Sequence, residues 1–129
     1  MYPTFQSRSI QAKSANYTVV AADSGTVLNF NVAGSYTVTL PAAAAGLVGL
    51  TVTVRNGGPN NGDTLLTVAP NAADGVSGNG FTAATGKGPQ QLAANSPKVG
   101  DEVTLVCSGV TGAAGWYLTN VVGTWTRLP

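Results

Sequence analysis

The chain has 129 residues, no His, a single Cys, 9% charged residues and a formal net charge of +1. His is the usual carrier of proton transfer near neutral pH and of metal ligation, so its absence removes the commonest routes to general acid–base and zinc chemistry. The near-zero charge lacks the electrostatic footprint of a protein bound to nucleic acid or to an anionic membrane, and the length fits one domain.

Residues 1–14 differ in composition from the rest of the chain. They hold Arg8 and Lys13 with no acidic residue, and Tyr2, Phe5 and Ile10 fit neither a period of 2 nor one of 3.6. This segment is expected to be an extended N-terminal arm, with residues 15–129 forming the domain. No continuous apolar run near the N-terminus suits a signal peptide and none is long enough to cross a bilayer, so synthesis in a cytoplasm without export is expected.

Regular alternation begins at Tyr17, where Tyr17, Val19 and Ala21 share one face, before a turn at Asp23, Ser24 and Gly25. The next run places Leu28, Phe30 and Val32 on one face, and after Ala33 and Gly34 a third alternates through Tyr36, Val38 and Leu40. These read as consecutive antiparallel strands, each half-buried. Residues 41–46 form the one helix-like stretch, with Pro41 suited to the first helical position and Gly46 to the close. Strand alternation resumes through Leu50, Val52 and Val54. Asn56, Gly57 and Gly58, then Asn61, Gly62 and Asp63, carry the turn chemistry of a hairpin that returns over residues 65–69.

Residues 70–100 are the least regular, and a structureless loop of that length is rare in a compact domain. A short strand near residues 90–93 is expected there, with the remainder a second candidate contact surface. Val103, Leu105 and Cys107 lie on one face of the strongest strand signal, which makes the lone thiol a buried, inert one. A turn over residues 108–115 leads to Trp116, Tyr117 and Leu118, and the last aromatic is Trp125. Both Trp residues are expected in the core. No long internal repeat is visible, which argues against a solenoid.

The carboxylates are Asp23, Asp63, Asp74, Asp101 and Glu102. Asp63, Asp74 and Asp101 adjoin a Gly and Asp23 opens the turn that ends at Gly25, positions where Asp ordinarily shapes turns by bonding local backbone. No spacing sets two of them across a sugar cleft, no acidic loop suits calcium, and no Ser has a His or Ser-x-x-Lys partner. The expectation is a protein that is not an enzyme and needs no metal or cofactor.

Residues 18–27 (Thr-Val-Val-Ala-Ala-Asp-Ser-Gly-Thr-Val), 37–41 (Thr-Val-Thr-Leu-Pro), 100–106 (Gly-Asp-Glu-Val-Thr-Leu-Val), 115–118 (Gly-Trp-Tyr-Leu) and 123–125 (Gly-Thr-Trp) together resemble small β-sandwich domains of tailed-bacteriophage virion proteins. Such domains serve as head decoration (cement) proteins and as modules of tail fibres. The resemblance implies an antiparallel β-sandwich, jelly-roll-like or immunoglobulin-like, on the capsid surface of a virion assembled in the host cytoplasm. Its partner would be the major capsid protein, with self-association into a dimer or trimer open and neither nucleic acid nor membrane involved. Tyr2, Phe5 and Ile10 are the expected apolar anchors of the arm on capsid subunits, with Arg8 and Lys13 meeting acidic patches. Extended, residues 1–14 would reach on the order of 45 Å. A chain of this length starting at Met1 favours decoration over the alternative, a tail-fibre or baseplate receptor-binding (carbohydrate-binding) module. That alternative requires a solvent-exposed Trp platform.

Overall fold

The computed structural model describes residues 9–129. Eleven strands form two sheets: β1 (Ser9–Lys13), β2 (Tyr17–Thr18), β3 (Thr26–Phe30), β4 (Gly34–Thr39), β5 (Thr51–Asn56), β6 (Thr64–Ala69), β7 (Val76–Ser77), β8 (Pro89–Gln90), β9 (Glu102–Cys107), β10 (Trp116–Val122) and β11 (Thr126–Arg127). One sheet has the order β1-β3-β5-β9-β10-β7 and the other β11-β8-β6-β4-β2. The fold is all-β. The helix expected over residues 41–46 is a single 3-10 turn at Ala45–Leu47.

The sheets are mixed rather than antiparallel, which corrects the reading of consecutive antiparallel strands. From β1 to β6 the chain alternates between the sheets, so β1, β3 and β5 pair in parallel in one, and β2, β4 and β6 in the other. The front half is thus wound as three stacked coils. Coil length is uneven, since Ile10, Val27 and Thr53 form one row while Tyr17, Val38 and Val68 form another, and no sequence repeat marks the winding. Residues 57–63 likewise carry the chain from β5 across to β6 in the opposite sheet, not round a hairpin. Antiparallel pairing enters with the back half, where β9 joins β5 and β10 returns beside β9 through the expected turn.

Corner geometry explains the crossing between β3 and β4. The Tyr36 hydroxyl donates to the carbonyl oxygens of Val32 (2.9 Å) or Ala33 (3.1 Å), folding the ring over Gly34, where a Cβ would lie 2.9 Å from that hydroxyl oxygen. Any side chain here would have to displace the ring, and the φ of 152° at Gly34 is one that other residues rarely adopt. The Tyr36 ring then stacks on Phe30 with centroids 5.2 Å apart, so the two strands flanking the corner are packed against each other's aromatic.

Alternation decides what is buried. Leu28, Phe30, Val52, Val54, Val103, Leu105, Trp116 and Leu118 of the larger sheet meet Val38, Leu66 and Val68 of the smaller in one core, which Leu40, Leu50 and Trp125 extend. Phe30 and Trp116 are wholly buried, and burial of the Phe30 ring contributes on the order of 2–3 kcal/mol relative to exposure. Trp116, Trp125 and Cys107 are all buried, as expected.

Candidate contact surfaces

β1 is the outer strand of the larger sheet, paired on one side with β3 and without a strand partner on the other among the described residues. Its residues alternate between faces, so Ser9, Gln11 and Lys13 lie in the rows of the core residues Leu28 and Phe30, and Ile10 and Ala12 lie on the outer face. Ile10 is 70% exposed. The Lys13 ammonium sits 3.7 Å from the centre of the Tyr17 ring, and the Tyr17 hydroxyl donates to the Asp23 carboxylate at 2.8 Å. That bond, with smaller contributions from desolvation and from the Asp23 charge, raises the Tyr17 pKa above the ordinary phenol value. Polar side chains therefore close the side of the core here. Of the expected anchors, Ile10 is on the exposed outer face and Lys13 is engaged within the chain; Tyr2, Phe5 and Arg8 lie outside the described residues.

The aspartates are held by backbone donors. Asp23, Asp63 and Asp101 each accept the N–H three residues upstream, from Val20 (2.9 Å), Asn60 (3.1 Å) and Lys98 (2.9 Å), the local turn chemistry expected of them. Asp74 and Asp101 bond residues far from them in the chain, which sequence spacing does not show. Wholly buried Asp74 accepts from Ala43 and Gly112, joining three loops. Asp101 ends a buried chain in which Asn56 donates to Gln91 at 3.0 Å and Gln91 donates to Asp101 at 3.1 Å. Among the described residues no group of three or more His, Cys, Asp or Glu is placed to hold a metal ion.

A second surface lies at one end of the two sheets. Ala21, Ser24 and residues 46–50 line a common shallow depression, and a Cβ on Gly109 would touch the Val48 side chain, which brings the turn 108–115 alongside. Val20, Val48 and Val110 are 50%, 67% and 68% exposed on these three segments. Residues 41–50 and 108–115 contain no charged side chain, and the one in residues 20–25, Asp23, is buried. Such an uncharged apolar end suits contact with protein.

The opposite flank, where β7 and β11 end the two sheets, holds a cleft of about 470 Å³ lined by Asn79, Phe81, Thr82, Trp125, Thr126 and Arg127 with Gly80. The Trp125 indole N–H donates to the Val122 carbonyl at 2.9 Å, which fixes the ring as a wall. Neither Trp offers an exposed stacking platform, since Trp116 is 0% and Trp125 7% exposed. Sequence reasoning missed this cleft because its walls come from residues 79–82 and 125–127, which no spacing connects.

The chain matches no protein-family model and no curated protein. No helix among the described residues is long and apolar enough to cross a membrane.

Proposed function

We propose that this protein decorates the outer surface of a tailed-bacteriophage head and stabilises contacts between major capsid subunits. The observation that carries this reading is the outer edge of β1, which has no strand partner among the described residues and holds exposed Ile10, next in sequence to the basic, aromatic residues 1–8. A free edge offers unpaired backbone N–H and C=O groups to a partner strand, and Ile10 adds apolar area at the same place. Tyr2 and Phe5 are the further anchors and Arg8 the group that meets acidic capsid residues. Lys13 serves the Tyr17 ring instead. Symmetry multiplies modest contacts, because each copy engages more than one shell subunit. A function by contact rather than by chemistry is supported by the aspartates, which are occupied in bonding backbone.

For the architecture we favour a β-sandwich with a coiled front half over a jelly-roll-like or immunoglobulin-like one, whose strands are linked mainly as antiparallel neighbours. The site of action is the capsid surface, after synthesis in the host cytoplasm, with a dimer or trimer as the form that the uncharged apolar end would support.

The test is binding to purified capsids that lack the protein. Deleting residues 1–8 keeps β1 in place, and Ile10→Asp alters one exposed side chain. Each variant is expected to unfold at the denaturant concentration of the parent and to bind capsids at least about tenfold more weakly, a loss of about 1.4 kcal/mol. Full-strength binding by both variants would overturn the arm-and-edge mechanism.

A further inference from the structure

We infer that the cleft between the β7 and β11 flanks is a binding site for an acidic saccharide unit, a sugar ring bearing a carboxylate. The cleft is within the size range of small-molecule sites and combines the half-buried Phe81 ring, which takes the place of the exposed Trp platform that neither Trp provides, with a few converging polar groups. Arg127 is exposed and is the one ionisable residue among those lining it, so the lining carries a positive charge and no acidic side chain. A guanidinium presents paired N–H donors that match a carboxylate in plane.

The rest of the lining fits a sugar ring. Phe81 packs against the core on one side and is half-buried, held by reciprocal backbone bonds with Gly78 at 2.9 and 3.1 Å. Its remaining surface is an apolar face for ring C–H groups. The Asn79 amide donates to the Leu118 carbonyl at 2.6 Å, which fixes the side chain while its own carbonyl oxygen has no partner among the described residues. Thr82 is exposed at the rim. Sugar hydroxyls need several such donors and acceptors around one apolar face; a peptide would instead draw on backbone pairing.

Both walls are fixed before any ligand arrives. Asn79 and Gly80 hold positive φ of 49° and 86° in the tight turn that presents Phe81. On the other wall, Leu128 N–H donates to Gly88 at 2.9 Å and the Lys87 ammonium to the Pro129 carbonyl, which hold the segment carrying Arg127. This preorganisation lowers the ordering cost of binding.

The experiment is a titration of the isotope-labelled protein with glucuronic acid and with N-acetylneuraminic acid, followed by backbone amide NMR shifts. Glucose, N-acetylglucosamine, acetate and a short peptide with a free C-terminal carboxylate serve as the comparison ligands. The expected result is saturable shifts at Gly80, Phe81, Thr82 and Arg127 with at least one acidic sugar, in the millimolar range, and much weaker shifts with all comparison ligands. Arg127→Gln is expected to weaken that binding about tenfold or more, with Arg127→Lys between it and the parent. Phe81→Ala removes the apolar wall and is read only if its amide spectrum stays dispersed; Arg127→Gln carries the test otherwise. Absence of cleft shifts, equal response to neutral sugars, acetate or peptide, or unchanged binding by Arg127→Gln would each overturn the assignment.

Discussion

Asp74 accepts the backbone N–H of Ala43 at 2.7 Å, across thirty-one positions of sequence. Its other carboxylate oxygen accepts from Gly112 at 2.9 Å, so one wholly buried side chain ties the loop after β4, the loop after β6 and the β9–β10 turn. Asp74→Ala leaves two backbone donors without their acceptor, at a cost of about 1–3 kcal/mol each. Urea unfolding is expected to show a loss of about 3 kcal/mol for Asp74→Ala. Asp63→Ala, at an exposed site bonded only within its own turn, is expected to lose about 1 kcal/mol or less. Equal losses in the two would contradict the bracing role.

Gly75 follows directly and is hemmed in by backbone. A Cβ there would overlap the carbonyl oxygens of Ala84 and Ala113, which cannot rotate away as a side chain could. Gly46, by contrast, has ordinary φ and open space around the same hypothetical atom. Gly75→Ala is expected to prevent accumulation of folded soluble protein, whereas Gly46→Ala should be neutral or stabilising by up to about 1 kcal/mol through the unfolded chain. Expression yield and thermal unfolding distinguish the two.

The Tyr17 hydroxyl gives an alkaline signature. Its bond to Asp23 raises the folded pKa above the ordinary value of 10.0, so the folded state holds this proton more tightly than the unfolded chain does. The resulting stability is fully present below pH 10 and is lost as pH rises through the raised folded pKa. Tyr17→Phe should therefore be less stable than the parent at neutral pH, with the gap narrowing above pH 10. Chemical unfolding across that range checks this, and a constant gap would deny the linkage.

Cys107 is 1% exposed on the inner face of β9. A thiol reagent is expected to leave the native protein unmodified over the time in which the unfolded chain reacts completely, because labelling requires opening of the core. Rapid native labelling would mean that β9 is not held as described.

Side-chain alternation made the strands legible, and most of the core with them. Val103, Leu105 and Cys107, or Leu28 and Phe30, declare their shared face by spacing alone. Partnership between strands was not legible, because a period of 2 states which way a residue faces and not which strand lies beside it. Thus the coil that sets Ile10 beside Val27 and Val27 beside Thr53 leaves no mark, its turns being of unequal length. Ile10 was legible as an apolar residue that fits no strand or helix period, and it is exposed. The engagement of Lys13 with Tyr17 depends on the turn between β1 and β2, and the cleft on bringing Phe81 to Arg127, both consequences of tertiary packing.

The measurement that bears most directly on the decoration account is the copy number of this protein in separated heads and tails of the virus encoding it, by quantitative mass spectrometry. The account predicts hundreds of copies in the head fraction, in fixed proportion to the major capsid protein. A few copies confined to tails, or none in either fraction, would contradict it.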